Sequence, residues 1–463
     1  MWCRWKLRPG LPNWCTERFK KPTAGNIASV FASSTLNDLS NQLSRGSSAV
    51  VDVDVDPLDF VRSGSASFAV ASYFGSPGGT RIGGLGVAWQ ETSSGDDRFV
   101  TADAARAAAG WSAAVRALVG FSFADDGPRQ PEWDGFAATS VHVPQAAVVE
   151  EDGCRRLVVA MPPGLSAEDL ITTLAGLQSP GRSVLPEFAD HVVEATPPPG
   201  EWREEVAQAI AAIKGGAMLK AVLARSVIVR TEGPVLAFDL VEHLAHEYPQ
   251  CFAFGWQIGD ATFIGASPEL LVERSGSKVR SQPHAGSAAR GRGDEQDRAL
   301  GEGLLASAKD RREHALVVDD IVRRLEPVTT SLQVPTTPSL RKMTTVQHLS
   351  TTVDGVLSED SSVIELAGLL HPTPAVGGVP RQEALAFIDK VERMDRGWYL
   401  GGVGWCDAEG NGQMAVALRC GLLRGDTAHL QAGAGIVADS DPEAELIETR
   451  LKFGPLLSVL TAT

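Results

Sequence analysis

Short runs of alternating apolar and polar residues recur along the chain, and a period of two is what a strand with one buried face requires. Residues 50–57, VVDVDVDP, interleave Val with three Asp and predict a half-exposed strand whose acids face water. Residues 67–73 and 155–160 predict further strands. The glycine loop GGTRIGGLG, residues 78–86, has neither G-x-G-x-x-G nor G-K-[ST] spacing, so it predicts a turn entering a strand and no phosphate cradle.

The texture changes at the turn-rich TPPPG, residues 196–200, which predicts an internal boundary near residue 195. Behind it a helix is predicted over 201–214, then a β-branched strand over 217–231 that puts Lys220, Val222 and Ala224 on one face. The runs CFAFGWQI and ATFIGASPELLVER, joined by Gly259 and Asp260, predict a hairpin. Glu269 follows the I-G-A-S-P interruption, where a bulge or bend can turn its side chain. The stretches GWCDAEGNGQMAVALRCGLL and TAHLQAGAGIV repeat the hairpin pattern.

Two helical patterns carry acids three residues apart. In SAKDRREHALVVDDIVRRL the apolar stripe runs through His314, Ala315, Val318, Ile321, Val322 and Leu325, and Asp310 with Glu313 lies on its shoulder. In DPEAELIETRLKF, residues 441–453, Glu445, Glu448, Thr449 and Lys452 fall within about 100° of arc. Leu446, Ile447, Leu451 and Phe453 enclose that arc from both sides. These residues alone leave two readings open: a shared site for a hard cation such as Mg²⁺, or surface salt bridges. Lys220 and Glu269 are similarly divided between a general base with a general acid and a snorkelled lysine with a turn-capping glutamate. The glycines of AGAG, residues 432–435, and of HAGS, residues 284–287, can turn N–H groups toward an anion or simply make turns.

Composition narrows the partners. The 463 residues are 43% hydrophobic, ample for a large core, and 42 Lys plus Arg against 57 Asp plus Glu leave a formal charge of −15. No global field draws nucleic acid or an anionic membrane to such a chain, so an anionic ligand must be held by local basic groups, backbone N–H or a metal. Six Cys without C-x-x-C spacing indicate neither a zinc site nor a disulfide framework, and a reducing cytoplasm is expected. No run of 18 apolar residues predicts a membrane span. Residues 1–25 are basic and broken by Pro, and are expected to be a disordered extension, with a targeting peptide as the alternative.

The order and spacing of KAVLARS, IGASPELL, AGSAARG, SAKDRREH, VQHL, LHPTPAVGG, GWCDAEGNG, ALRC, AGAGIVADSDPEAE and ETRLK resemble the chorismate-utilising enzymes. That family contains isochorismate synthases, salicylate synthases, anthranilate synthase component I and aminodeoxychorismate synthase component I. The resemblance implies an α+β fold of two similar halves, with β-sheets packed as a sandwich and helices outside. Residues 26–195 would be its N-terminal part and 196–463 the chorismate-binding catalytic region. It implies Mg²⁺ on Glu313 and Glu448, with Asp310 and Glu445 supporting. Arg419, Lys452, Tyr399 and the backbone of Gly433, Ala434 and Gly435 would bind carboxylates, and Gly286, Ser287 and His348 would line the ring pocket. Lys220 takes the general-base position and Glu269 the general-acid position.

A lysine at 220 resembles the members that add water at C2 of chorismate, whereas the ammonia-using anthranilate synthases lack it. Ala285 stands where aminodeoxychorismate synthases have a nucleophilic lysine, so no glutaminase subunit is expected. The phrases LHPTPAV and GWCDAEGNG resemble isochorismate synthases. Magnesium-dependent isomerisation of chorismate to isochorismate, for menaquinone or a catechol siderophore, is the activity implied, with salicylate synthesis the alternative. A cytoplasmic monomer is expected.

Overall fold

The computed structural model describes residues 29–461 apart from 163, 184, 186, 187, 189 and 345, so the expected disordered extension at 1–25 lies outside the described residues. Among the described residues, antiparallel strands form sheets of twelve, nine and three strands. In the largest, Ser48–Asp52, Cys154–Ala160, Ala146–Glu151, Arg81–Leu85 and Val70–Gly75 lead into Phe252–Ile258, Ala261–Ser267, Cys420–Arg424, Thr427–Ile436 and Lys220–Thr231. The N-terminal and C-terminal stretches meet where Gly75 pairs with Ala253 and Val70 with Ile258. They meet again in the nine-stranded sheet, where Ala117–Phe121 pairs with Gly402–Cys406. Residues on either side of 195 thus share both large sheets.

The two sheets face each other across one core. Phe74, Phe254 and Phe263 from the larger sheet and Leu118 and Val403 from the smaller line it, while Val119, Phe121, Val141 and Met414 alternate to the smaller sheet's other face, where Phe121 meets Phe99 of a covering helix. Trp398 fills the centre of the core, lying where a Cβ on Gly120 would sit 2.0 Å from the indole ring, so a side chain there would expel it. Its Nε1–H donates to the Ala137 carbonyl at 2.8 Å, which satisfies the one polar atom the ring brings inside. Helices cover the outer faces: Ser33–Leu43, Pro57–Gly64 and Ala237–Glu247 on the larger sheet, and Arg98–Ala108, Ala308–Leu325 and Val363–Leu370 on the other side of the core. This is the α+β sandwich that the resemblance implies.

Local expectations map onto it closely. The helix over 201–214 is Pro199–Lys214, the strand over 217–231 is Lys220–Thr231, and the 259–260 turn closes the hairpin with Gly259 at φ +60°. The strand expected over 50–57 is shorter than its alternation, ending at Asp52. Asp56 instead caps the helix Pro57–Gly64, accepting from the Leu58 N–H at 2.9 Å. A capping carboxylate followed by proline at the first helical position outweighs period-two patterning, because proline gives a strand no donor and a helix start loses nothing by it.

Candidate active site

Strands that change sheets build the site. Ala261–Ser267 belongs to the larger sheet and Leu270–Ser275 to the nine-stranded one, so the chain crosses between layers at Pro268 and Glu269. The reverse crossing runs from Gly412–Val416 to Cys420–Arg424 and carries Arg419, at φ +49°. The Val416 N–H donates to the Glu269 carbonyl at 3.1 Å and the Ala266 N–H to the Arg419 carbonyl at 3.3 Å, which fixes both crossings at one end of the sandwich. The interruption before Glu269 is therefore a change of layer, and the expected bulge appears one step later as a register shift between Leu270 and Glu273.

Lys220 opens the strand Lys220–Thr231 and is 1% exposed, with Nζ 2.9 Å from Glu313 Oε1. Beside it, Gly433 and Gly435 of Thr427–Ile436 face the cleft. A Cβ on Gly435 would lie 2.5 Å from Glu313 Oε1 and 2.9 Å from Lys220 Cε, so the glycine makes room for that ion pair. The helix Ala308–Leu325 starts on a Ser307 cap that accepts from the Asp310 N–H, and its first turns carry Lys309, Asp310 and Glu313 into the cleft. The helix Pro442–Leu460 starts on Asp441, which accepts from the Glu443 and Ala444 N–H groups, and presents Glu445, Glu448 and Lys452. Glu443 leaves the cleft and pairs with Arg203 at the surface.

Each cleft acid has found a partner. Glu445 lies 3.3 Å from Lys309 Nζ, Glu448 lies 2.7 Å from Lys452 Nζ, and the Ser307 hydroxyl donates to Asp310. Lys452 also donates to the Gly433 carbonyl at 2.8 Å. Burial raises the Glu445 pKa, and the neighbouring Glu448 and Glu313 charges raise it further. Glu448 is held below its usual range: burial raises it, but the Lys452 charge and hydrogen bond and the Arg419 charge outweigh burial. Among the described residues no three acids, histidines or cysteines converge as a ligand set. Lysines lie beside three of the four carboxylates. The donor chemistry still suits a hard cation, since four carboxylates line one cleft and the Glu448 and Glu313 charges raise the Glu445 pKa.

Glu269 behaves differently. It is 4% exposed, and burial pushes its pKa up to about 8 against the pull of Lys220, so it holds a proton at neutral pH. Burial likewise lowers Arg419 and raises Tyr399, which keeps the phenol protonated. His348 is pushed down to about 3 by burial and by the Arg419 charge, and its Nδ1 lies 2.9 Å from the Ser287 hydroxyl. Gly286 adopts φ +75°, and a Cβ there would meet Asp310 Cβ at 3.0 Å, so the glycine lets the ring-pocket strand approach the acidic helix.

The basic, acidic and glycine residues described above line one cleft. Of the residues expected there, Ala434 is the exception. Strand alternation turns its side chain to the opposite face, where it packs in the cluster of Trp202, Leu223 and Leu446. The structure adds His284, Lys309, Ala375, Leu400 and Leu418 to the lining. Lys309 and His284 sit inside stretches already singled out, SAKDRREH and HAGS, where each adjoins or nearly adjoins a residue given a role. Leu400 and Leu418 have no polar signature, and only the layer crossings bring them in.

The family model described as "Chorismate binding enzyme" matches residues 34–461. The salicylate biosynthesis isochorismate synthase of Pseudomonas aeruginosa is 37% identical over 358 residues, covering 75% of each chain. Isochorismate synthase MenF of Bacillus subtilis is 36% identical over 348 residues, covering 74% of each. Among solved structures, the menaquinone-specific isochorismate synthase MenF of Escherichia coli superposes with a TM-score of 0.80 at 27% identity, over 92% of this chain and 99% of that one. Anthranilate synthase component I of Streptococcus pneumoniae shares the fold, with a TM-score of 0.69 at 22% identity over 83% of this chain and 93% of that one. The chain, with this sandwich and this cleft, belongs to the family of chorismate-binding enzymes.

Proposed function

We propose that the protein isomerises chorismate to isochorismate, adding water at C2 and losing the C4 hydroxyl. The observation that carries this reading is the pairing, in one cleft, of a buried Lys220 with a buried Glu269 that keeps its proton at neutral pH. Addition of water with loss of hydroxide needs one group to take a proton and another to give one. The relatives named isochorismate synthases support the same reading.

In this reading Glu269 protonates the departing C4 hydroxyl and Lys220 receives the proton of the water that attacks C2. Arg419 and Lys452 hold one substrate carboxylate, aided by Tyr399 and the backbone at Gly433 and Gly435, while Gly286, Ser287 and His348 border the ring. Glu313 and Glu448, with Asp310 and Glu445 behind them, would hold Mg²⁺. When bound, Mg²⁺ supplies charge neutralisation for the second carboxylate. Ala285 offers no amine for an aminated intermediate, which supports water as the nucleophile and no glutaminase partner. Purified protein incubated with chorismate and Mg²⁺, with and without ammonia, gives isochorismate in both cases. Salicylate with pyruvate, or an aminated product, would overturn the reading.

A further inference from the structure

Beside Glu269 the three-stranded sheet gathers polar atoms that the protein leaves unpaired. His284–Ala289 pairs with Val346–Ser350 so that His284 opposes Ser350 and Ser287 opposes His348. Opposed residues and those two apart share a face, so His284, His348 and Ser350 project from the same side. His284 is 7% exposed, His348 5% and Ser350 2%. Among the described residues, both ring nitrogens of His284, Nε2 of His348 and the Ser350 hydroxyl have no hydrogen-bond partner. Four such atoms on three neighbouring residues are a costly arrangement unless something else bonds them.

The geometry indicates what that is. The two imidazole centroids are 6.0 Å apart and tilted by 53°, too far for a direct bond and suited to one oxygen bridging both rings. Burial keeps both rings neutral, so His284 offers one donor and one acceptor and His348 offers its Nε2, which a hydroxyl or water can meet. Both residues line the cleft, and the His284 main-chain N–H donates to the Glu269 carboxyl. The recess therefore adjoins the acid.

We propose that His284 is a positioning residue that, with His348, holds the oxygen leaving C4, first as the substrate hydroxyl and then as the released water. This rests on the isomerase reading above. The proton passes from the Glu269 carboxyl to the C4 hydroxyl, and the C4–O bond breaks with its electrons on oxygen, releasing water. The two ring double bonds each shift by one position as the new C2–O bond forms, and Lys220 takes the proton from the attacking water. His284 exchanges no proton; it orients the acceptor lone pair toward Glu269 and keeps the departing water from returning at once.

The test compares His284→Leu and His284→Gln with the wild type for isochorismate formation from chorismate and Mg²⁺. Leucine lowers kcat roughly ten- to a hundredfold, the scale of one hydrogen bond to a developing charge, with KM within about twofold. Glutamine, which keeps a donor and an acceptor, recovers most of kcat. The melting temperature of the leucine variant is equal to or above that of the wild type, because an unpaired polar group has been removed. His284→Ala serves in the same way if leucine overfills the recess. Wild-type kcat in the apolar variants, a loss confined to KM, or equal impairment by leucine and glutamine would overturn the assignment. A wild type that forms no isochorismate instead refutes the isomerase reading itself.

Discussion

At Glu269 the protein keeps a proton on a carboxyl that would ionise in water, because burial raises its pKa to about 8. As pH rises, the unfolded chain releases this proton near 4.5 and the folded one near 8, so the folded state binds more protons between those values and loses stability across that window. Glu269→Gln removes this contribution. Denaturant midpoints of the variant should fall less between pH 5 and pH 8 than those of the wild type, with a difference of at least about 1 kcal/mol at pH 8. The same variant should lose roughly 10²- to 10⁴-fold in kcat, and wild-type kcat should decline above about pH 8 as the acid ionises. Lys220→Ala should cost a similar factor in turnover. Calorimetry should show Mg²⁺ binding that variant at least as tightly, since Glu313 is freed from its ammonium. Most of these side chains were legible in the sequence because polar residues interrupt apolar patterns: a lysine on a strand's buried face, acids on a helix shoulder. Ala434 was expected only through its backbone, and its side chain turns away because a motif covers consecutive residues, whereas a strand gives the cleft every second side chain.

At the scale of elements, caps and glycines set the geometry. Asp441→Ala removes the oxygen that accepts from Glu443 and Ala444 and should cost about 1 kcal/mol in chemical denaturation. Because that cap anchors the turn bearing Glu445, the Mg²⁺ concentration for half-maximal rate should rise as well. Gly435→Ala should fold, since strands accept alanine, yet lose at least about tenfold in activity, because its Cβ would lie 2.5 Å from Glu313 Oε1 and push that carboxylate aside. A crystal structure showing the Lys220 to Glu313 pair undisturbed in that variant would refute this explanation. Strand and helix existence was readable from periodicity, and hairpins from their glycines. The shortening of the 50–57 strand was readable too, because Asp56 and Pro57 form a helix start that alternation obscured. The change of sheet at Glu269 was not, since a layer crossing depends on partners about 150 residues away, Val416 among them.

For the whole molecule, the mixing of both chain halves in both sheets means that neither can close its own edges. A fragment of residues 196–463 would expose the strands Phe252–Ile258 and Gly402–Cys406 that now pair with Val70–Gly75 and Ala117–Phe121. Expressed alone it should be insoluble or molten, as circular dichroism and light scattering would show, and a soluble, chorismate-binding fragment would contradict this. The boundary expected near 195 came from a change of texture and the turn-rich TPPPG, which carry no information on which sheet a strand joins. The ion pairs of the cleft have a thermodynamic consequence. Lys220, Lys309 and Lys452 sit beside Glu313, Glu445 and Glu448, and Arg419 lines the same cleft. A divalent cation that took those carboxylates would leave the basic groups without their partners and open to a dianion. Cation and substrate must then raise each other's affinity by the same factor, a reciprocity that two titrations performed in opposite order can measure.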